Sequence, residues 1–136
     1  MNRELKTLFL FFLFVSSFTI QAIPIDFDCS VKNLLTSSED DEFINSNLKK
    51  RFVISVSEQE VIVTSISDVY KSGITKYKII YRDKVFPIVR AVTQNHQNKI
   101  AINTGNGNAT ISLQSDFYLN AWVLDCKKWN EYNRGY

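Results

Sequence analysis

From Arg51 onward, short apolar runs alternate with polar residues and are separated by polar breaks. Phe52, Ile54 and Val56 are the clearest case, because a period of two puts successive side chains on opposite faces of a strand. Such runs predict a hairpin over 51–66, strands at 74–81, 85–92, 100–102, 109–113 and 117–124, and a further strand near 26–34. This near-regular spacing predicts a mainly β domain, an antiparallel meander of about 7–8 strands that closes as a small barrel or a sandwich.

The breaks between these runs carry turn chemistry. Thr104–Asn108 contains Asn-Gly, which favours the positive φ angles of a tight hairpin turn. Arg82–Lys84 reads as a charged turn. Pro87 falls inside the predicted strand 85–92, so we expect that strand to lie at an edge or to begin pairing late.

One segment departs from the strand pattern. Ser37 and Ser38 precede the acidic run Glu39–Glu42, and three basic residues follow at 49–51. A serine cap, acids in the first turn and bases in the last predict a short amphipathic helix near 38–50, with Ile44 and Leu48 on one face. An acidic loop is the alternative, because Asn and Ser at 45–47 favour a helix only weakly.

The first 22 residues have the three regions of a secretory signal. Arg3 and Lys6 precede the apolar run Leu8–Val15, and Ala22 offers a small residue at the cleavage point. The run is shorter than the ~20 residues needed to cross a bilayer. We expect a cleaved signal peptide over 1–22 and an exported protein, periplasmic or secreted; the bulky Ile20 leaves an uncleaved anchor as the alternative.

Cleavage would leave 114 residues, enough for a single domain with one modest core. We expect this β domain to cover 23–128 and to be followed by a loosely ordered tail at 129–136.

Cys29 and Cys126 are the two cysteines of the chain, 97 positions apart. An even pair in an exported protein predicts a disulfide. Closing so long a loop stabilises the folded chain by about 4–5 kcal/mol on the chain-entropy model. Because bridged Cα atoms lie within about 7 Å of each other, the first and last strands should be neighbours.

The predicted mature chain carries 14 basic and 13 acidic residues. This balance provides no global field for nucleic acid or an anionic membrane, so we expect neither nucleic-acid binding nor stable membrane insertion after cleavage. The basic clusters at 49–51 and 127–128 are interpreted as solvated ends of strands or helices.

No group of residues forms a catalytic, cofactor or metal motif. His96, the single histidine, lies in a polar connection without a nucleophile beside it. Glu39–Glu42 lacks the alternating ligands and the glycine of a calcium loop. Gly105–Gly107 is interpreted as a hairpin turn, and Asn108 begins an Asn-Ala-Thr glycosylation acceptor.

Aromatic residues remain as candidates for a ligand or partner surface. Tyr77, Tyr81, Tyr118 and Trp122 all fall on predicted strands. In a domain of this size most of them should pack in the core, where tyrosine and tryptophan are ordinary sheet residues.

The predicted architecture is similar to that of lipocalin-like barrels and of small periplasmic inhibitor barrels. The Gly-x-Trp motif that opens lipocalins is missing, so no residue role is carried over and no family is claimed. We expect a non-enzymatic binding or protein-interaction module. The alternative is a barrel that binds a small apolar ligand between Tyr77, Ile79 and Trp122; a less favoured one is a small hydrolase using Asp83, Asp116 or Asp125.

Overall fold

The computed structural model describes residues 23–129, which form eight strands and one helix. The strands are β1 (Ile25–Thr36), β2 (Arg51–Val56), β3 (Glu60–Ile66), β4 (Gly73–Arg82), β5 (Ile88–Val92), β6 (Asn98–Asn103), β7 (Asn108–Gln114) and β8 (Leu119–Lys128). Each strand pairs antiparallel with the next, and β8 pairs with β1, so the sheet closes as a barrel. The predicted β meander is confirmed, and closure decides for the barrel over the sandwich. The signal peptide predicted at 1–22 and tail residues 130–136 lie outside the described residues.

Two strand boundaries differ from the prediction. The strand expected at 85–92 begins only at Ile88, because the Asp83 carboxylate accepts hydrogen bonds from the first amides of that segment. The strand expected at 117–124 is Leu119–Lys128, since Phe117 and Tyr118 belong to a turn closed by Ser115.

The barrel interior is filled by the apolar side of each alternating strand. Phe27, Ile54, Ile102 and Leu124 are among the largest fully buried side chains. Each such side chain stabilises the fold by about 1.5–3 kcal/mol through removal from water. The period-two pattern therefore identified the inward face correctly along most strands.

The helix α1 spans Asp41–Leu48, within the predicted 38–50. Its N-cap is Asp40, whose side chain accepts two backbone N–H groups, rather than a serine. The buried residues are Ser46 and Asn47, whereas Leu48 is 40% exposed, so the expected apolar face is not the one that packs. The buried Ser46 and Asn47 side chains both donate hydrogen bonds to the carbonyl of Phe43, so polar residues can occupy the buried positions.

The loops divide between the two ends of the barrel. The helix end carries the β1–β2 connection with α1 and the loops at 67–72, 93–97 and 115–118. The tip end carries the turns at 57–59, 83–87 and 104–107.

The barrel closes between β1 and β8, which we call the closing seam. Nine residue pairs are in register there, and Cys29 lies opposite Cys126 with a Cα–Cα distance of 4.0 Å and a disulfide between them. The predicted bridge and the predicted contact between the first and last strands are both confirmed. Gly107 packs against the seam: its φ is +80°, and a Cβ there would lie 1.9 Å from the carbonyl oxygen of Cys126.

Candidate functional site: the outer face of the β4–β5 hairpin

Charge is unevenly distributed along the chain. Residues 73–92, which form β4, the connecting loop and β5, contain five basic residues and one acidic residue, a formal net charge of +4. Residues 23–72 contain five basic and nine acidic residues, a formal net charge of −4. The near-neutral total therefore conceals a strongly basic hairpin.

The pairing of β4 with β5 is short and irregular. Four residue pairs are in register, and a bulge at Ile80 interrupts them. The extra residue of a bulge changes the alternation of the strand. As a result Ile80 and Tyr81, although consecutive, are both exposed.

The remaining outward positions on β4 follow from simple alternation. Tyr77 is buried, so its neighbours Lys76 and Lys78 point outward, and Ile74 lies exposed further along the same face. Arg90 of β5 lies directly opposite Tyr81. We call the set that follows the hairpin face: Ile74, Lys76, Lys78, Ile80, Tyr81, Lys84, Val85, Phe86 and Arg90.

The loop between the two strands presents apolar side chains to solvent in a fixed conformation. Val85 is 82% exposed and Phe86 is 63% exposed. Asp83 Oδ1 accepts hydrogen bonds from the backbone N–H groups of both residues, each at 2.8 Å. Asp83 Oδ2 accepts a further bond from the Tyr81 hydroxyl at 2.7 Å. One carboxylate therefore orders the segment that projects the two apolar side chains.

The base of this loop is anchored to the tip end of the barrel. The backbone N–H of Thr104 donates to the carbonyl of Pro87 at 2.7 Å. A Cβ on Gly105 would lie 2.9 Å from the Pro87 ring, so the β6–β7 turn packs closely against it. The Arg82 guanidinium donates to the carbonyl of Ser57 at 2.8 Å. The loop is thus fixed from both sides.

The electrostatics of the loop follow from these hydrogen bonds. The backbone N–H of Phe86, the Tyr81 hydroxyl and the N–H of Val85 lower the pKa of Asp83, because all three favour the carboxylate. The same bond to Asp83 raises the pKa of Tyr81. Arg90 lies over the Tyr81 ring at 5.4 Å from its centroid. Asp83 is therefore engaged within the loop, and lysine and arginine provide the remaining charges of the face.

A groove of about 930 Å³, open to solvent, runs beside β4. Lys76 and Lys78 line it from β4, and Glu58 and Glu60 line it from the β2–β3 side. Glu60 is in register with Lys78 across the β3–β4 pair. The groove therefore borders the hairpin face on the side where acidic residues begin.

A second group of polar atoms lies inside the helix end. The Lys50 ammonium lies over the rings of Trp122 and Tyr70, at 5.3 and 5.4 Å from their centroids, and burial lowers the pKa of Lys50. Trp122 Nε1 and Asn47 Oδ1 are buried without a hydrogen-bond partner. The side chains of Trp122 and Asn47 are 7% and 1% exposed.

The four aromatic residues singled out from the sequence do not form one surface. Tyr77 and Trp122 belong to the packed interior, where burial raises the pKa of Tyr77 to about 12. Tyr81 belongs to the hairpin face, and Tyr118 lies in the β7–β8 loop at the helix end. Sequence reasoning missed the lysines, although a charge count over a 20-residue window would have found the basic hairpin.

The residues considered for chemistry are dispersed. His96 is exposed in the β5–β6 loop with a φ of 59°. Asp83 belongs to a loop at the tip end and Asp116 to a loop at the opposite end, while Asp125 lies on β8 opposite Asn108. Within residues 23–129, no group of three or more His, Cys, Asp or Glu side chains is arranged to hold a metal ion. The three carboxylates of the hydrolase hypothesis do not meet in one site.

Asn108 of the glycosylation acceptor is exposed at the start of β7. In the part of the chain that the structure describes, no helix has the length and apolar character needed to cross a membrane.

Comparison of the chain with models of known protein families, with curated protein sequences and with solved structures gave no match. The hairpin face therefore rests on its own geometry as the candidate functional site.

Proposed function

We propose that this protein is an exported, non-enzymatic binding module that contacts the surface of a partner through the hairpin face. The observation that carries the proposal is the presentation of Val85 and Phe86 on a loop that Asp83 orders. Large exposed apolar side chains grouped on one surface are typical of interaction sites.

Order in the free loop favours binding. A flexible loop loses conformational freedom on association, at about 0.5–1.5 kcal/mol for each immobilised side chain. The hydrogen bonds to Asp83 restrict the backbone of Val85 and Phe86 before any partner arrives. Burying a phenylalanine such as Phe86 then contributes about 1.5–3 kcal/mol.

Export is the setting that best fits the disulfide. Cys29 and Cys126 are bonded and buried in the closing seam, and such bridges persist in oxidising compartments. The predicted signal at 1–22 supports the same location.

The experiment replaces Phe86 with the photo-crosslinking residue p-benzoylphenylalanine and irradiates the protein with the fluid and the membranes of its native compartment. Phe117, 93% exposed on the β7–β8 loop, is the matched control position. We expect a covalent adduct from position 86 that excess wild-type protein suppresses and excess Phe86→Ser does not. Equal labelling from both positions, or none from position 86, would reject the proposal.

The alternative is a barrel that binds a small ligand at its helix end. It is supported by the buried, unpartnered Nε1 of Trp122 beside Lys50. Against it, Tyr77 and Ile79 line the groove beside β4, whereas Trp122 packs in the core and does not line that groove, so the three residues do not share one cavity. Titration with a long-chain carboxylate should quench Trp122 fluorescence if this alternative is correct, and a Trp122→Phe variant provides the control.

A further inference from the structure

We propose that the partner of the hairpin face is an anionic lipid bilayer, bound reversibly and without insertion of the barrel. This inference rests on the proposed function, since it assigns the occupant of the same face. The near-neutral total charge of the chain does not prevent this attraction, because the basic residues of 73–92 lie together on one hairpin.

Basic side chains are grouped on the hairpin face. Lys76, Lys78, Lys84 and Arg90 are all exposed on one hairpin. Each lysine or arginine close to an anionic leaflet contributes about fivefold to binding. Asp83, the acid of the hairpin, is engaged by the loop amides and the Tyr81 hydroxyl, and lies among these bases.

Exposed apolar side chains accompany these basic residues on the hairpin face. Stable attachment to a bilayer generally needs two signals, such as an apolar group together with a polybasic patch. Val85 and Phe86 provide the apolar tip, and Ile80 extends the apolar surface along the strand. Lysine is depleted in the cores of protein interfaces, whereas its long stem can lie in an apolar layer while its ammonium stays in water. Lysines beside isoleucine and valine therefore favour a lipid surface over an acidic protein.

The acidic run before α1 and the apolar tip lie at opposite ends of the barrel. The acidic residues Glu39–Glu42 precede and begin α1 at the helix end, opposite the tip end that presents Val85 and Phe86. An anionic surface attracts the hairpin and repels the start of α1, although Lys49 and Arg51 after the helix offset part of that repulsion, so the hairpin is the part that turns toward the membrane. Glu58 and Glu60 border the face on its β3 side and weaken this attraction there.

The experiment measures co-sedimentation of the disulfide-bonded protein with two kinds of vesicle. One is pure phosphatidylcholine, and the other is phosphatidylcholine mixed with phosphatidylglycerol. We expect binding to the mixed vesicles that weakens as salt is added, and little binding to pure phosphatidylcholine. Soluble glycerol phosphate as a competitor separates a bilayer from a free phosphate, and we expect it not to displace the protein.

Matched variants locate the binding face. Lys76→Glu with Lys78→Glu should reduce binding by roughly 30-fold or more, given about fivefold per basic residue removed. Lys32→Glu with Lys49→Glu makes the same change in net charge at exposed positions of β1 and of the helix end, away from the tip, and should change binding much less. Phe86→Ser should reduce binding by about tenfold, and Phe117→Ser should leave it unchanged. Circular dichroism verifies that each variant is folded.

Equal loss in both lysine pairs would mean that total charge, rather than the hairpin face, governs binding, and would overturn the inference. Binding to neither vesicle overturns it as well. If position 86 then crosslinks a protein, the proposed function stands with a different partner. If neither vesicle nor crosslink responds, both proposals are wrong.

Discussion

The closing seam and the β4–β5 seam join the same barrel in opposite ways. Between β1 and β8, nine residue pairs on both sides of a bulge at Lys32, a disulfide and the tight approach of Gly107 bind the strands together. Between β4 and β5, four pairs and a bulge join a basic hairpin whose outward side chains include several large apolar ones. The closing seam has more paired residues and the covalent bond, whereas the β4–β5 seam carries exposed apolar and basic side chains.

The difference indicates how a small domain can combine both properties. Backbone pairs lost at a bulge lower local stability, and exposed apolar groups contribute nothing to the core. The long, covalently closed seam offsets these losses in the same continuous sheet. The tip loop compensates locally, since the Asp83 carboxylate accepts hydrogen bonds from the Val85 and Phe86 amides, which form no ladder bonds there. We expect the two seams to respond differently to mutation.

The largest effect should come from removing the disulfide. Cys29→Ala with Cys126→Ala should lower the free energy of unfolding by about 2–5 kcal/mol, because the unfolded chain regains its freedom. Urea unfolding measures the loss, with chemically reduced wild-type protein as the comparison. Hydrogen exchange should show β1 and β8 losing more protection than β5. Uniform loss across the barrel would contradict the contrast between the seams.

A glycine pair provides the next test. Gly107→Ala should cost about 2–4 kcal/mol, because its φ is +80° and the new Cβ would collide with the carbonyl of Cys126. Gly73→Ala, at the start of β4, meets only the Ser65 hydroxyl at 3.6 Å and should change stability by less than about 1 kcal/mol. Thermal unfolding of both variants measures the difference. Equal costs would show that the close approach of Gly107 to Cys126 does not make the closing seam especially tight.

A smaller, local effect is expected from Asp83→Ala. The amides of Val85 and Phe86 lose their acceptor and should exchange faster, while β1 and β8 keep their protection. The pH dependence has a defined sign, since the pKa of Asp83 is lowered in the folded protein. The carboxylate stabilises the loop fully above the pKa of the unfolded chain, and this contribution disappears as pH falls through the lower folded pKa. If the protection factors of the Val85 and Phe86 amides in the wild-type protein do not fall at acidic pH, this role is contradicted.

The smallest effect is expected from Tyr81→Phe. It removes one of the hydrogen bonds to Asp83 and keeps the ring beneath Arg90. The pKa of Asp83 should rise toward its ordinary range but stay below it, because the backbone bonds remain. Carbon NMR of the carboxyl group measures the titration. A pKa unchanged from wild type would mean that the tyrosine bond contributes nothing.

The sequence predicted a strand or helix correctly where the local pattern of apolar and polar residues determines the structure. Alternation in residues 51–66 predicted both strands of a hairpin, because burial of one face requires that period. The strand expected at 85–92 was wrong for its first three residues because a side chain, Asp83, captured backbone amides that a strand would have used. The expected apolar face of α1 was wrong because Ser46 and Asn47 are the buried residues, and their side chains donate hydrogen bonds to the carbonyl of Phe43.

The candidate site shows the same division. Lys76, Lys78 and Lys84 are close together in the sequence, but the charge total of the whole chain does not reveal this local basic cluster. Lys76, Lys78 and Ile80 share an outward direction through simple alternation, but Tyr81 joins them only because of the bulge in β4, which no local sequence pattern predicts. Tyr77 and Trp122 appeared equivalent to Tyr81 in sequence, but the barrel buried them.

By itself, the sequence determined a β meander of about 7–8 strands, one short helix and a bridge between its first and last strands. Those features follow from local alternation and from the reach of a disulfide, which act whatever the rest of the chain does. Tertiary structure alone decided that the sheet closes as a barrel and that a bulged hairpin carries an apolar and basic outer face. Closure and register depend on strands distant in sequence meeting in space, so no segment read alone contains them.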